Sequence, residues 1–345
     1  MCYHYQPYIK ITNIEIDRSK KQMKAVSFFA GVGGIDKGFE KAGFKTIWAN
    51  ELEIYPAETF RANFDCELVV EDIKNIRVED IPDFDIMLAG FPCTSFSIAG
   101  YRKGFEDERT GNLFFELVRI FEAKKPQIIF LENVKNLVGH DNGNTFKVIL
   151  ECLEQNGYTV KYKVLNACEY GNIPQNRERI YIVAFMNKEV AERFTFPEPI
   201  ELTTKLHDVI DYENQVDDKY YYSEKNCKFY EELKENMTKE DTIYQWRRVY
   251  VRENKSNLCP TLTANMGTGG HNVPLIYTKL GIRKLTPREC FNLQGFGADF
   301  ILPEKLSNTR LYKQAGNSVC VPVIERIAKE IKKVLECNIE KEELK

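Results

Sequence analysis

The stretch Ala89-Gly90-Phe91-Pro92-Cys93-Thr94-Ser95-Phe96-Ser97 carries the side chain best placed for nucleophilic chemistry. It follows an apolar run, Asp85-Ile86-Met87-Leu88-Ala89, that reads as a buried strand over 85–90. Proline fixes φ and has no backbone donor, so it ends the strand and aims the residue after it. Free cysteine is commonly a small buried hydrophobe. At the carboxyl edge of an α/β sheet, where ligands bind, Cys93 becomes a candidate nucleophile. Glu132, in Leu131-Glu132-Asn133-Val134, ends the next apolar run. If the two strands are neighbours, thiol and carboxyl face one pocket. In Gln175-Asn176-Arg177-Glu178-Arg179 the i, i+2 spacing puts both arginines on one side of an extended segment. A guanidinium pair there can hold a carboxylate, a phosphate or a base edge.

A second constellation points to a cofactor. Phe29-Ala30-Gly31-Val32-Gly33-Gly34 lies between a strand and a helix. Glycines let the backbone approach a ligand, and the helix start offers free N–H groups. The spacing is not Gly-x-Gly-x-x-Gly, which disfavours a nicotinamide dehydrogenase. Glu51, after the second strand, is placed for ribose hydroxyls. Asp72-Ile73, after the third, is placed for an adenine amino group. The expected ligand is an adenosine that needs no pyrophosphate, and S-adenosylmethionine is the candidate.

These residues need a frame. Strands are predicted at 25–29, 46–50, 67–70, 85–90, 127–131, 158–165 and 179–185. Helices are predicted at 54–64, 113–123 and 145–155, and after the glycine loop with Ile35, Phe39 and Ala42 on one face, stopped by Gly43. The alternation predicts an α/β fold, a Rossmann-like doubly wound, mostly parallel sheet. At Phe196-Pro197-Glu198-Pro199 the character changes, and 200–280 is polar without clean alternation, as in a smaller, irregular domain. Pattern resumes at Leu285-Thr286-Pro287, where Thr286 can cap a helix beginning at Pro287, and a last helix is predicted over 323–337. The expected division is an extension over 1–24, a main domain over 25–195 plus 308–345, and a smaller domain with hinge over 196–307.

The chain has 345 residues, 43% of them hydrophobic, enough for a large core. No run of 18 apolar residues suggests a membrane span, and no secretory apolar segment opens the chain. Ten cysteines are scattered with no Cys-x-x-Cys pair, and only four histidines occur, against a metal site and a disulfide framework. A reducing cytosol is expected. The net charge of −3 carries no hint of nucleic acid, so local charge must. Gln245-Trp246-Arg247-Arg248-Val249-Tyr250-Val251-Arg252 interleaves cations with aromatics, a composition suited to phosphate contacts.

The motifs together resemble the DNA (cytosine-5) methyltransferases of bacterial restriction–modification systems. The resemblance rests on Phe-x-Gly-x-Gly-Gly at 29–34, Gly-Phe-Pro-Cys at 90–93, Gly-Asn-Leu-Phe-Phe at 111–115, Glu-Asn-Val at 132–134 and Gln-x-Arg-x-Arg at 175–179. Arg-Lys-Leu-Thr-Pro-Arg-Glu-Cys begins at 283, and Gly-Asn-Ser-Val sits at 316–319. Order and spacing agree from about residue 25 to 335. The resemblance implies a class I S-adenosylmethionine-dependent methyltransferase with a target-recognition domain. It implies attack of Cys93 on C6 of a flipped-out cytosine in duplex DNA, with Glu132 at N3, Arg179 at the O2 side and Arg177 supporting the pocket. Cofactor positions map to Phe29, Gly31, Gly33, Glu51, Asp72, Ile73, Pro92, Leu113, Asn317 and Val319. The segment 95–109 would close over the base, with Ser97 and Arg109 as DNA contacts. Thr94 stands where the family commonly has glutamine, and Glu71-Asp72 replaces a common Gly-Asp.

The recognition region matches by position. Arg247, Arg248 and Arg252 are candidate phosphate contacts, and Thr261, Asn265 and His271 candidate base contacts. The implied protein is a cytoplasmic, nucleoid-associated monomer acting on double-stranded DNA, and the resemblance leaves open a cognate restriction endonuclease that shares its site. Two alternatives stay open. A tRNA cytosine-5 methyltransferase is opposed by the length of the recognition region. An inactive DNA-binding homologue is opposed by the presence of Cys93 and Glu132.

Overall fold

The computed structural model describes residues 22–92, 113–247, 249–268 and 272–343. β1 (Lys24–Phe28) leads into α1 (Gly34–Lys41), β2 (Lys45–Glu51), α2 (Ile54–Arg61) and β3 (Glu67–Val70). Then follow β4 (Ile86–Ala89), α3 (Leu113–Lys124), β5 (Ile128–Val134), α4 (Asn144–Gln155) and β6 (Thr159–Asn166). A short α5 (Ala167–Tyr170) and β7 (Gln175–Asn176) precede β8 (Glu178–Phe185) and α6 (Lys188–Arg193).

Seven strands form the main sheet in the order β3-β2-β1-β4-β5-β8-β6. All pairs from β3 to β5 are parallel, while β8 runs antiparallel to both neighbours. This is the doubly wound, mostly parallel sheet that the alternation predicts. The strand order reverses between β1 and β4. The connections leaving β1 and β4 therefore turn to opposite faces of the sheet and open the crevice where ligands bind in such sheets.

Burial follows the period of two. On β5, Ile128 and Phe130 join one core with α1 residues, whereas Ile129 and Leu131 join the other with Phe114, Phe121 and Ile149. A strand covered on both faces reads as a continuous apolar run, which is why β4 and β5 stood out in the sequence. The alternation also sends Glu132 to the face of Phe130 and Asn133 to the opposite one.

The second region differs from its sequence reading in form. It contains α7 (Leu206–Val209), α8 (Tyr230–Asn236) and an antiparallel sheet ordered β10-β9-β12-β13. These strands are β9 (Tyr244–Trp246), β10 (Val251–Glu253), β12 (Leu275–Thr278) and β13 (Gly281–Lys284), with β11 (Cys259–Pro260) pairing instead with β7. Strands of three or four residues are too short to display a period, so the region read as irregular. One hydrophobic cluster joins Val32, Ala49, Phe60 and Phe64 to Leu206, Ile243, Leu262 and Phe291, so the two regions share apolar core.

Thr286 caps α9 (Pro287–Asn292) as expected, in a reciprocal box with Glu289. After α10 (Asn308–Asn317) the chain ends in α11 (Val321–Glu343), longer than the predicted 323–337. It starts earlier because Pro322 is tolerated in a first helical turn. Its Val323, Ile324, Ile327 and Ile331 pack with Ile35 and Phe39 of α1.

Candidate active site

The crevice holds a cavity of about 600 Å³. The loop after β1 supplies one wall, beginning with Phe29 at φ 52°, a left-handed conformation unusual for a bulky residue. Gly31 follows at φ 57° with open space where a Cβ would stand. Its N–H donates to Glu51 Oε2 (2.7 Å), and the Glu53 N–H donates to Glu51 Oε1 (2.8 Å). The end of β2 is thereby fastened to the glycine loop. Burial pushes the Glu51 carboxyl above its ordinary range, and those two N–H groups pull it back. Asp72 caps the turn after β3, accepting from the Lys74 N–H (3.0 Å), with Ile73 buried behind it. Phe29, Gly31, Glu51, Asp72, Ile73, Pro92, Leu113, Asn317 and Val319 all line the cavity. Gly33 does not. At φ 85° it opens α1, and a Cβ there would lie 2.1 Å from the ring of Phe64. It shapes the loop from behind.

The opposite wall comes from β4, β5 and β8. Pairing of Ala89 with Leu131 sets Gly90-Phe91-Pro92 beside Glu132, and a Cβ on Gly90 would come 3.5 Å from Glu132 Oε2. Asn133 donates from Nδ2 to the Phe91 carbonyl (2.8 Å), tying the turn before Cys93 to β5. Glu132 is buried and forms an ion pair with Arg179 Nε (3.2 Å). Burial pushes its carboxyl up, while Arg179 and Arg177 draw it down. A carboxyl so balanced can carry a proton nearer neutrality than a solvated one.

Arg177 also lines the cavity but is only 3% exposed. It donates to the Leu262 carbonyl (2.7 Å), to that of Gly316 (3.1 Å) and to that of Ser318. Burial, and then the Arg179 charge, push this guanidinium down to about 9. Its contacts stitch the second region to the loop that brings Asn317 and Val319 into the cavity. Gln175 assists, accepting from the Leu262 N–H and donating to the Leu293 carbonyl.

Cys93, Ser97, Arg109, Arg248 and His271 lie outside the described residues. Arg247 and Arg252 are exposed on the β9–β10 hairpin, whose tip presents Val249 and Tyr250. Thr261 is exposed and donates to the Asn176 carbonyl (2.6 Å), and Asn265 is exposed in the following turn. Neither residue lines the cavity, so the structure separates a pocket from a surface apart from it. Reading single motifs missed Asn133, Arg310, Lys313 and Gln314, all four of which line the cavity. A signal existed for Asn133, since it adjoins Glu132, whereas the α10 residues are more than 200 positions from the glycine loop.

The polar lining fits a polar ligand. Among the described residues, Arg177 Nε, Gln314 Nε2 and Ser318 Oγ are buried around the cavity with no hydrogen-bond partner. Among the same residues no cluster of side chains could hold a metal ion, and no helix is long and apolar enough to cross a membrane.

The family model for the C-5 cytosine-specific DNA methylase matches residues 23–333. The chain belongs to that family. Among its relatives, the Type II methyltransferase M.Bsp6I of Bacillus sp. (strain RFL6) is 67% identical over 312 residues, covering 90% of this methylase and 99% of the relative. The Type II methyltransferase M.NlaX of Neisseria lactamica is 43% identical, covering 90% and 97%. The crystal structure of the S. pombe Dnmt2 methyltransferase superposes with a TM-score of 0.70 at 18% identity, covering 91% of the methylase and 99% of that chain. That likeness shows the shared fold.

Proposed function

We propose that this methylase is the modification enzyme of a Type II restriction–modification system, methylating C5 of one cytosine in a specific duplex sequence. One observation carries the reading. A buried carboxyl, Glu132, stands one strand from the Gly-Phe-Pro turn, paired with Arg179, in the same cavity as the glycine loop and Glu51. The Type II relatives support the biological context.

Cytosine C5 is too weak a nucleophile to take a methyl group unaided. Cys93, as thiolate, adds to C6, and the ring electrons move toward C5 and N3. Glu132 donates to N3 and offsets the negative charge that develops there. Its upward-shifted carboxyl and its Arg179 partner suit that duty. Arg179 faces the O2 side of the base, and Arg177 holds the pocket walls in register. Phe29, Gly31, Glu51, Asp72, Ile73, Pro92, Leu113, Asn317 and Val319 hold S-adenosylmethionine, with Gly33 shaping the loop from outside. When bound, that cofactor supplies the methyl group for C5 from its sulfonium. Loss of the C5 proton and departure of Cys93 then restore the aromatic ring. The chemistry needs both faces of the base free, so the cytosine leaves the duplex stack.

In this reading 25–195 and 308–345 form the catalytic domain and 196–307 the recognition region. Arg247, Arg248 and Arg252 contact phosphates. Thr261, Asn265 and His271 lie toward the bases, and Ser97 and Arg109 belong to the closing segment. The test is trapping on duplex DNA containing 5-fluorocytosine, which blocks loss of the C5 substituent. A denaturation-resistant adduct should form with wild type and not with Cys93→Ala. Absence of any adduct on the cognate duplex, with one on tRNA, would overturn the DNA reading.

A further inference from the structure

The first turns of α2 and the exposed face of α10 meet across the cavity through charged and polar groups. Lys313 Nζ contacts both carboxylate oxygens of Glu53, at 2.9 and 2.7 Å. One helical turn earlier, the Arg310 guanidinium lies over the Tyr55 ring, 4.0 Å from its centroid. All four residues line the cavity. Behind them, Thr59 Oγ1 donates to Gln314 Oε1 (2.8 Å) in a buried bond. The spacing 53, 55, 59 on one side and 310, 313, 314 on the other makes this a zipper of polar contacts between helices. Such an interface opens at less cost than an apolar one, because water can solvate each half when they part.

We propose that Lys313 and Arg310 are positioning residues that clasp α10 to α2 over the bound cofactor and set the rate at which it leaves. The proposal rests on the assignment of the cavity to S-adenosylmethionine. Glu53 also places its N–H on Glu51 Oε1, so the clasp bears on the end of β2 that carries Glu51. Substitution of the Glu53 side chain leaves that N–H in place, which separates the clasp from the ribose-side wall.

The ion pair is about 40% exposed on each side. A pair of that kind contributes modestly, so Lys313→Met should raise the cofactor off-rate by about two- to fivefold. Lys313→Glu places like charges across the gap and should raise it further. The swap Glu53→Lys with Lys313→Glu should bring the rate back toward wild type. Added salt should speed release from wild type through screening and have little effect on Lys313→Met. The measurement is a chase of labelled S-adenosylmethionine, with S-adenosylhomocysteine as the second probe, on the full chain without DNA. Rates unchanged in Lys313→Glu, or not rescued by the swap, would overturn the clasp. Failure of wild type to bind either probe would instead overturn the cavity assignment itself.

Discussion

Asn133→Ala tests whether β5 aims the catalytic turn. The side chain is buried, and its Nδ2 holds the Phe91 carbonyl two residues before Cys93. Its Oδ1 accepts from the Val134 N–H, but Val134 is 38% exposed, so water can replace that partner. The change therefore strands one buried carbonyl, worth about 1–3 kcal/mol. For a chain of this length that is roughly 1–4 °C in melting temperature. The kinetic effect should be larger. With Cys93 attacking C6 as proposed, a loosened turn displaces the thiol, and misplacement on the order of 1 Å costs up to about a hundredfold in rate. Single-turnover methylation should fall about 10- to 100-fold, while cofactor affinity, which the glycine loop and Glu51 on the other wall supply, should change by only about twofold, since Asn133 lines the cavity on the β5 side beside Glu132. The assay pairs rapid-quench methyl transfer with equilibrium cofactor binding and a melting curve. A variant that loses the expected stability yet transfers methyl at the wild-type rate would refute the tie as the aiming device.

Asp36 offers a pH test. It is buried, accepts from Ser27 Oγ (3.0 Å) and Thr46 Oγ1 (3.1 Å), and burial pushes its carboxyl from 3.8 to about 7. Its contribution is fully present below 3.8 and lost as pH rises to about 7. Asp36→Asn should flatten that loss, gaining roughly 2–3 kcal/mol over wild type between pH 5 and 7.5 in denaturant titrations; parallel curves for the two proteins would count against it. The two glycines should part company. Gly33→Ala forces a Cβ against Phe64 at φ 85° and should cost several kcal/mol of stability. Gly31→Ala meets the left-handed penalty at φ 57°, about 1–2 kcal/mol, but no clash, so it should cost less stability than Gly33→Ala and lose cofactor affinity; equal effects of the two changes on both quantities would remove the distinction between wall and scaffold. Removing Arg247 and Arg252 together should lower the magnitude of the slope of log K against log salt for DNA binding by up to about 2, with cofactor affinity unchanged. An unaltered slope would take the hairpin off the phosphate backbone.

Much of the frame was legible because its strands are buried on both faces. Runs such as Ile128 to Leu131 carry their own signal, Pro92 marks where the β4 run stops, and Gly43 marks the end of α1. The walls formed by Glu51, Asp72 and Glu132 followed, since each ends a strand on the ligand edge. Two things escaped. The short strands of the second sheet carry no period, so a paired sheet read as irregular chain. Interactions between distant segments had no local trace. Arg177 read as a pocket support, and its reach to Leu262, Gly316 and Ser318 appears only once the chain has folded. Gly33 sits in the glycine motif like Gly31, yet its neighbour is Phe64 and not the cavity.

The most direct test of the central claim is the identity of the methylated nucleoside. Duplex DNA is incubated with the wild-type chain and labelled S-adenosylmethionine, digested, and resolved by mass spectrometry, with Cys93→Ala and Glu132→Gln in parallel. The account predicts label in 5-methyldeoxycytidine for wild type, none for Cys93→Ala and a strongly reduced rate for Glu132→Gln. Label on an exocyclic nitrogen, or undiminished 5-methyldeoxycytidine from Cys93→Ala, would contradict it.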